Sequence, residues 1–518
     1  MKHNTLAGGR LFSLSSGRCA LLGPTGDVAF LKDVDVTTLR QRTLQPDGLD
    51  AWLAAELYAK HFLCDPEHKG MEQLYEARVR AKSETLESGV SLHLIVPTLQ
   101  CEHTCRYCQV SRAAVGNGFS MTREQIEVVS DALFESAAPV LTVEFQGGDP
   151  LLRYDLVRAA IERISARSVR ENRKVQFVVA STLHQLNEEM CAFFRAHSVS
   201  LSTSIDGPAR LHNRNRPTPA RNAFERTLAG IELARRLISS DCVSALMTVT
   251  RESLALPEEI VDEYVRLGFD EIFIRPMALY GFAMKNAQIL GYSFEAFEAF
   301  YARCIDRVIW WNAQGTPIRE AAASVWMNKL LSPFDSGYVD LQRVSGAGRS
   351  VLVYNYDGWV YPSDEARMLA ETGDTSLRLG TLGETNRSLT SKPLNQQLQD
   401  RSNGGMHPEC SECAFNLFCG PDPVEERATG DGYQVASSWH CRRSKSMFSW
   451  ILNRLDAAHD QGDEEFLDLA NAWARRAHPV RWEAHRDPSD ATWTPVLAPS
   501  PRAMRIIKLL EDSTGRDL

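Results

Sequence analysis

Between residues 90 and 275 the chain switches six times from a short alternating or apolar run to a longer stretch with helical spacing, and few topologies tolerate that rhythm. Val90–Val96 alternates and reads as a strand ending just short of Cys101. Thr122-Arg-Glu-Gln125 has capping-box spacing and opens a helix towards Ala137. Further strands are expected over 141–145, 175–179, 199–205, 243–249 and 269–274, with helices near 154–169, 186–197, 223–237 and 257–267. Pro257 suits the first turn of the last helix. Strand–helix units in succession demand a parallel sheet with right-handed crossovers. An open doubly wound sheet and a curved barrel both satisfy the pattern.

In either architecture, ligands gather at the C-terminal ends of the strands. The residues that carry chemistry fall there. Cys101-Glu-His-Thr-Cys105-Arg-Tyr-Cys108 follows the first strand, and Gly147-Gly148-Asp149-Pro150 the second. Ser204-Ile-Asp206-Gly-Pro follows the fourth and Arg275 the sixth. A Gly-Gly pair is ordinarily a tight turn, and Asp-Gly-Pro is ordinary turn chemistry. Opposite a cysteine loop, the glycines offer close backbone approach, Asp149 a carboxylate for an ammonium group, and Ser204 and Asp206 hydrogen bonds for a ribose.

Of the 12 cysteines in the 518 residues, Cys19, Cys64, Cys191, Cys242 and Cys304 stand alone and read as small buried hydrophobes. The rest form a group of three and a group of four. Three thiolates supply one ligand too few for a closed tetrahedral zinc site, whereas a [4Fe–4S] cluster held by three leaves one iron open. A zinc site completed by His103 or a distant residue is the alternative. Cys410, Cys413, Cys419 and Cys441 make a complete set, consistent with a structural zinc or a fully ligated iron–sulfur cluster.

The net charge of −9 argues against a nucleic-acid partner, which asks for a basic footprint. No apolar run reaches membrane-span length, and the first ten residues lack a secretory h-region, so a cytoplasmic protein without a membrane partner is expected. Cysteine in such a setting serves metal or redox chemistry rather than a disulfide framework.

The CxxxCxxC run with Tyr107 before its last cysteine resembles the signature of the radical S-adenosylmethionine (SAM) superfamily. Gly147-Gly148-Asp149-Pro150 resembles that superfamily's GGE-type motif, with Asp for Glu. Ser204–Pro208 and His212-Asn-Arg-Asn-Arg-Pro217 resemble its peptide-modifying branch, and Gly358-Trp-Val-Tyr-Pro362 with the Cys410–Cys441 group resembles the SPASM extension. Val96-Pro-Thr-Leu, Tyr107–Arg112 and Tyr354–Gly358 with Ser363–Glu365 are most similar to the His-Xaa-Ser system maturases. The resemblance spans roughly 90–445.

It implies an α/β chain built on a partial (β/α)6 radical SAM barrel over 90–310 and a linker with a SPASM-like iron–sulfur domain over 311–445. A small α+β module over 1–89 precedes them, and a helical extension and tail over 446–518 follow. It also implies a SAM-binding [4Fe–4S] cluster on Cys101, Cys105 and Cys108. Tyr107 would lie near the adenine, Gly147, Gly148 and Asp149 beside the ammonium, and Ser204 and Asp206 near the ribose. A 5′-deoxyadenosyl radical would then take hydrogen from a ribosomally made precursor peptide. An electron donor such as flavodoxin or ferredoxin, and a second maturase of the same system, are the other implied partners.

A full SPASM domain needs cysteines where this chain has Ser363 and Pro423 and none between Gln342 and Ser350, so one auxiliary cluster is expected missing. Two [4Fe–4S] clusters remain, the second on Cys410, Cys413, Cys419 and Cys441. Asp364 follows the position of a cluster cysteine in related sulfatase maturases, which makes it a proton-acceptor candidate against ordinary turn chemistry. A hairpin over 19–31 and a helix over 49–58 are similar to precursor-binding elements, a barrel cap being the alternative. Helix is expected from Met447 to about Ala477, and Trp482, Trp493, Val496 and Leu497 are expected to pack. Two other functions fit less of this: a sulfatase-type formylglycine maturase, and an iron–sulfur or zinc scaffold or electron carrier.

Overall fold

The structure is a computed structural model that describes residues 4–5, 9–40, 50–64, 69–87, 89–116, 118–334 and 336–476. The tail tryptophans lie outside these residues. Six parallel strands form the centre: β1 (Leu92–Thr98), β2 (Val140–Gly147), β3 (Lys174–Ala180), β4 (Val199–Ser204), β5 (Val243–Thr248) and β6 (Glu271–Arg275). Every strand read from the alternation is present, with no end shifted by more than two residues. The helices between them are α1 (Arg123–Ala132), α2 (Tyr154–Glu171), α3 (Glu188–Ala196), α4 (Ala223–Leu237) and α5 (Pro257–Arg266).

Local rules account for the boundaries. Thr122 and Gln125 form the reciprocal capping box at α1, where replacing the threonine by alanine costs about 1 kcal/mol. Pro257 occupies the first turn of α5, whose Ile260, Val261 and Tyr264 are buried against the sheet. Along β4 and β5 one face is buried outward (Val199, Leu201, Val243, Ala245, Met247), while β4's inner face carries Ser200, Ser202 and Ser204. Small inner side chains leave room for a cavity.

The sheet is longer than six strands. A strand after the barrel segment, β7 (Arg319–Glu320), adds in parallel to β6, and β8 (Val351–Tyr354) adds in parallel to β1 at the other edge. The chain then turns antiparallel into β9 (Trp359–Tyr361) and β10 (Gly380–Thr381), giving the linear order β7-β6-β5-β4-β3-β2-β1-β8-β9-β10. The sheet therefore does not close. Its six central strands, ~4.8 Å apart, would spread their ends over roughly 24 Å if flat. Instead, residues at the ends of β2 through β6 line one cavity, so the sheet is strongly curved.

Behind β6 stand α6 (Phe294–Ala313) and α7 (Ala321–Leu331). The second cysteine group lies in short turns after α8 (Asp364–Glu371) and at the start of α9 (Trp439–Gln461). Gly462, left-handed at φ 67°, separates α9 from α10 (Glu464–Arg476), so the expected single terminal helix is two.

The N-terminal hairpin is present, with Leu22 opposite Val28, and a third strand, Arg10–Ser13, pairs with it. Helix Ala51–Ala59 follows, capped by Asp50. The module is fastened to α9, where Arg18 pairs with the buried Asp456 at 2.5 Å and Ser15 N–H donates to Asn453 at 2.8 Å. Cys191, Cys242 and Cys304 are buried packing residues and Cys19 is half-buried; the Cys64 side chain lies outside the described residues. No helix among the described residues is long and apolar enough to cross a membrane.

Candidate functional site

At the C-terminal edge of the sheet a cavity of about 940 Å³ is lined by Cys101, Cys105, Cys108, Tyr107, Gly147, Gly148 and Ser204, among others. The cysteine loop is held as a rigid span. Cys101 N–H donates to Ala113 at 3.0 Å, Thr104 N–H to Pro217 at 2.9 Å and Arg106 N–H to Asn215 at 3.2 Å. The last two contacts tie it to the Asn-Arg-Pro run after β4.

Glycine is required beside this loop. At Gly147 φ is 127°, and a Cβ would stand 2.4 Å from the Thr98 oxygen. At Gly148 a Cβ would stand 2.2–2.3 Å from the carbonyl oxygens of Gln100 and Leu99. Gly148 N–H and Asp149 N–H donate to Thr98 and Gln100 at 2.9 and 2.7 Å, so the turn and the segment entering Cys101 are one backbone unit.

The carboxylates are placed differently from the glycines. Asp149 is buried outside the cavity lining, accepting from Ser181 Oγ at 2.7 Å and Thr182 Oγ1 at 2.5 Å. Asp206 is also buried and outside the lining; it accepts from Tyr107 Oη at 2.7 Å and from Arg216 Nε at 3.3 Å. Both therefore reach the cavity only through partners. Ser181, Thr182, Tyr107 and Arg216 are the groups that face it. Burial, together with the Asp206 charge, pushes the Tyr107 hydroxyl well above its ordinary range, so it stays protonated and donates. Arg216 belongs to the Asn-Arg-Asn-Arg run so soon after a strand end, which is the sequence signal for it.

Asp364 lies at the start of α8, half-buried, with its carboxylate on Arg367 Nε at 2.9 Å and not among the cavity-lining groups. Its neighbour Glu365 does line the cavity, with Asp340, Asp422 and Glu425, opposite Arg275 and Arg443. Burial first, and then the charges of Asp340 and Asp364, raise the Glu365 carboxyl to about 8. Adjacent positions in the first turn of a helix point about 100° apart, and no periodicity announces which one faces inward.

The donor set at the first group fits an iron–sulfur cluster. The three thiols are free and share one cavity. Burial raises the Cys105 thiol to about 12, so a cationic partner is what would hold these groups as thiolates. His103, the other ligand candidate, spends Nε2 on His184 at 3.2 Å, while its Nδ1 has no hydrogen-bond partner. Among the described residues no three His, Cys, Asp or Glu side chains are close enough to hold one metal ion. A four-iron cube meets its thiolates further apart than a single ion does.

The second group surrounds a separate space of about 30 Å³ lined by Cys410, Cys413, Cys419 and Cys441, with Ser444 and Lys445. Cys410 is raised to about 11 by burial and by the neighbouring Cys419, Cys441 and Cys413 thiols, so all four converge. Burial opposes ionisation of Cys419, but hydrogen bonds from His440 and Ser444, with the charges of His440 and Lys329, together outweigh that and lower it. This donor set too fits a cluster, here with every ligand supplied by the chain. Of the missing cysteine positions, Ser363 caps α8, its Oγ accepting from Ala366 N–H at 3.2 Å, and Pro423 sits in the first turn of a short helix.

Residues 95–274 match the family model of the Radical SAM superfamily, so the chain carries a radical SAM domain. The chain spans 64% and 44% of the length of the first two curated relatives it matches. The first is an uncharacterized protein of Methanothermobacter thermautotrophicus, 29% identical over 179 residues, 34% of this chain. PqqA peptide cyclase of Bradyrhizobium diazoefficiens is 27% identical over 212 residues, 41% of this chain and 52% of that protein. Among solved structures, anSMEcpe with bound AdoMet aligns over 71% of this chain and 99% of its own, with a TM-score of 0.59 and 18% identity. Streptococcus suis SuiB bound to its precursor peptide SuiA aligns over 84% and 99%, with a TM-score of 0.51 and 11% identity. At those identities the likeness is one of fold.

Proposed function

We propose that this chain is a radical SAM enzyme that oxidatively modifies a ribosomally made peptide of the His-Xaa-Ser type. The observation that carries the reading is the three-cysteine loop, one ligand short of closure, opening into a cavity large enough for both SAM and a peptide side chain. PqqA peptide cyclase and peptide-bound SuiB, similar to it in sequence and in fold, support a peptide as the substrate class. So does anSMEcpe, which has been solved with AdoMet and the Kp18Cys peptide.

When bound, a [4Fe–4S] cluster with one open iron supplies the electron that cleaves SAM to a 5′-deoxyadenosyl radical, which takes a hydrogen atom from the substrate. Cys101, Cys105 and Cys108 would hold that cluster. The fixed Gly147–Gly148 backbone leaves the cavity free of side chains at that point, so an ammonium and carboxylate can approach. Ser204, with Tyr107 beside it, offers hydrogen bonds to an adenosine. Asp149 and Asp206 act one step back, fixing Ser181 and Thr182 in one case and Tyr107 and Arg216 in the other. Walls from both halves of the chain exclude water from the reacting carbon.

The second cysteine group would hold one auxiliary [4Fe–4S] cluster, for two in all; the structural duties of Ser363 and Pro423 support the absence of a third. Iron near eight per chain after anaerobic reconstitution is expected, and near twelve would overturn it. The N-terminal three-stranded sheet, whose outer strands have no further strand partner among the described residues, would take the precursor's leader by strand addition. Anaerobic incubation with SAM and dithionite tests the core of the reading. Formation of 5′-deoxyadenosine is expected; none at all would leave only a scaffold or electron carrier. A short neighbouring reading frame with repeated His-Xaa-Ser would identify the peptide, and mass spectrometry of that peptide after turnover reads the modification.

A further inference from the structure

Helix α9 is a partition with a site on each side. His440 and Arg443 line the large cavity, Cys441 and Lys445 line the small one, and Ser444 lines both. The first turn is fixed: Ser438 accepts from Cys441 N–H at 3.1 Å, and Glu425 accepts from Trp439 and His440 N–H at 2.8 and 3.1 Å. His440 therefore has little freedom at its Cα. Its ring forms part of the cavity wall, and its Nε2 lies 3.8 Å from Cys419 Sγ. One imidazole is thus the thickness of the wall between the substrate space and a ligating sulfur.

We infer that His440 is a positioning residue that sets the reduction potential of the auxiliary cluster, through an N–H···S hydrogen bond to Cys419. This rests on the two-cluster reading above. Reduction adds negative charge to a cluster, and a donor on a ligating sulfur stabilises the reduced form and raises the potential. Ser444, buried one helical turn further along the same face of α9, also donates to Cys419; it is kept in every variant below, so the comparison isolates the His440 donor.

The test uses the full-length chain carrying Cys101→Ala, Cys105→Ala and Cys108→Ala, so that only the auxiliary cluster is reconstituted. Its midpoint potential is read by an electron paramagnetic resonance redox titration, with iron and sulfide counted in each sample. About four irons per chain are expected. His440→Leu should move the midpoint to lower potential, while His440→Gln, which keeps an N–H donor, should stay nearer the parent. Should His440→Leu lose iron, His440→Gln and His440→Glu carry the same contrast at nearly equal volume, the carboxylate giving the lower potential. Equal potentials in donor and non-donor variants, with iron intact, overturn the inference and leave the cluster standing. A parent variant that takes up no iron overturns the auxiliary cluster itself, and the inference with it.

Discussion

The two cysteine groups of this chain differ in what surrounds them more than in what they contain. Cys101, Cys105 and Cys108 open on a cavity of about 940 Å³, whereas Cys410, Cys413, Cys419 and Cys441 enclose about 30 Å³. The first group has one ligand fewer and a great deal more room; the second has its full complement and room for little else. A metal centre that reacts keeps a place for something from outside, and one that only passes or holds charge does not. The difference teaches that openness here is built by the backbone. Gly147 and Gly148 remove side chains beside the first group, while the second is closed by short turns and the head of α9.

The sharpest way to break this comparison is to remove one ligand from each side. Cys105→Ala is expected to reduce 5′-deoxyadenosine formation to background, a loss of about a thousandfold or more, since chemistry without the cluster is absent rather than slowed. Cys413→Ala should lose a comparable share of iron yet keep 5′-deoxyadenosine formation within about threefold, as its site does not face the radical. Equal losses in the two variants would erase the distinction. Gly148→Ala probes the backbone argument. Its Cβ collides with two carbonyl oxygens, and a shift of about 1 Å in the cysteine loop should cost roughly a hundredfold in turnover.

Next in size is an effect on stability. Asp206→Asn leaves Arg216, its side chain 12% exposed beside the cysteine loop, without its counter-charge, which should cost about 3 kcal/mol, read from the urea midpoint. The second group has no such ion pair within its lining, so Ser444→Ala there is expected to cost about 1 kcal/mol. Glu365 gives a pH dependence. Its carboxyl titrates near 4.5 when unfolded and near 8 when folded, so the folded state binds the extra proton between those values. Stability is full below about pH 4.5 and falls as pH rises towards 8. Glu365→Gln should flatten that slope between pH 5.5 and 8. The smallest effect expected is at Asp364. With its carboxylate on Arg367, Asp364→Asn should leave product formation within about threefold, whereas a loss of a hundredfold would restore it as the proton acceptor.

Much of the barrel half was legible because its signals are local. Strand alternation, the Thr122–Gln125 box and Pro257 each act within a few residues, and the structure places the strand ends within two residues of expectation. The positions of Cys101, Cys105, Cys108, Gly147, Gly148 and Ser204 around one cavity followed from strand ends alone. What sequence did not carry is who holds whom. Asp149 and Asp206 look like ligand contacts by position, yet both are turned to side chains brought from loops elsewhere in the chain. Glu365 and His440 matter through orientation within a helical turn, which a single sequence leaves open. The extra strands β7 and β8 were missed for a similar reason. At two and four residues they have no periodicity to read, and only the sheet edges of β6 and β1 make them strands.

The partition helix also has a schedule. The cysteine loop and all six central strands are complete by residue 275, but α9 begins only at residue 439. At roughly 5–20 residues per second, that interval is about ten to thirty seconds of synthesis. For that time the three-cysteine loop sits at the edge of the six central strands, while β7 to β10 and then α9 are still to be added. Delivery of a cluster to this loop would therefore have an approach that α9 later narrows. The second cysteine group has no such interval, because its last cysteine, Cys441, arrives with the wall itself.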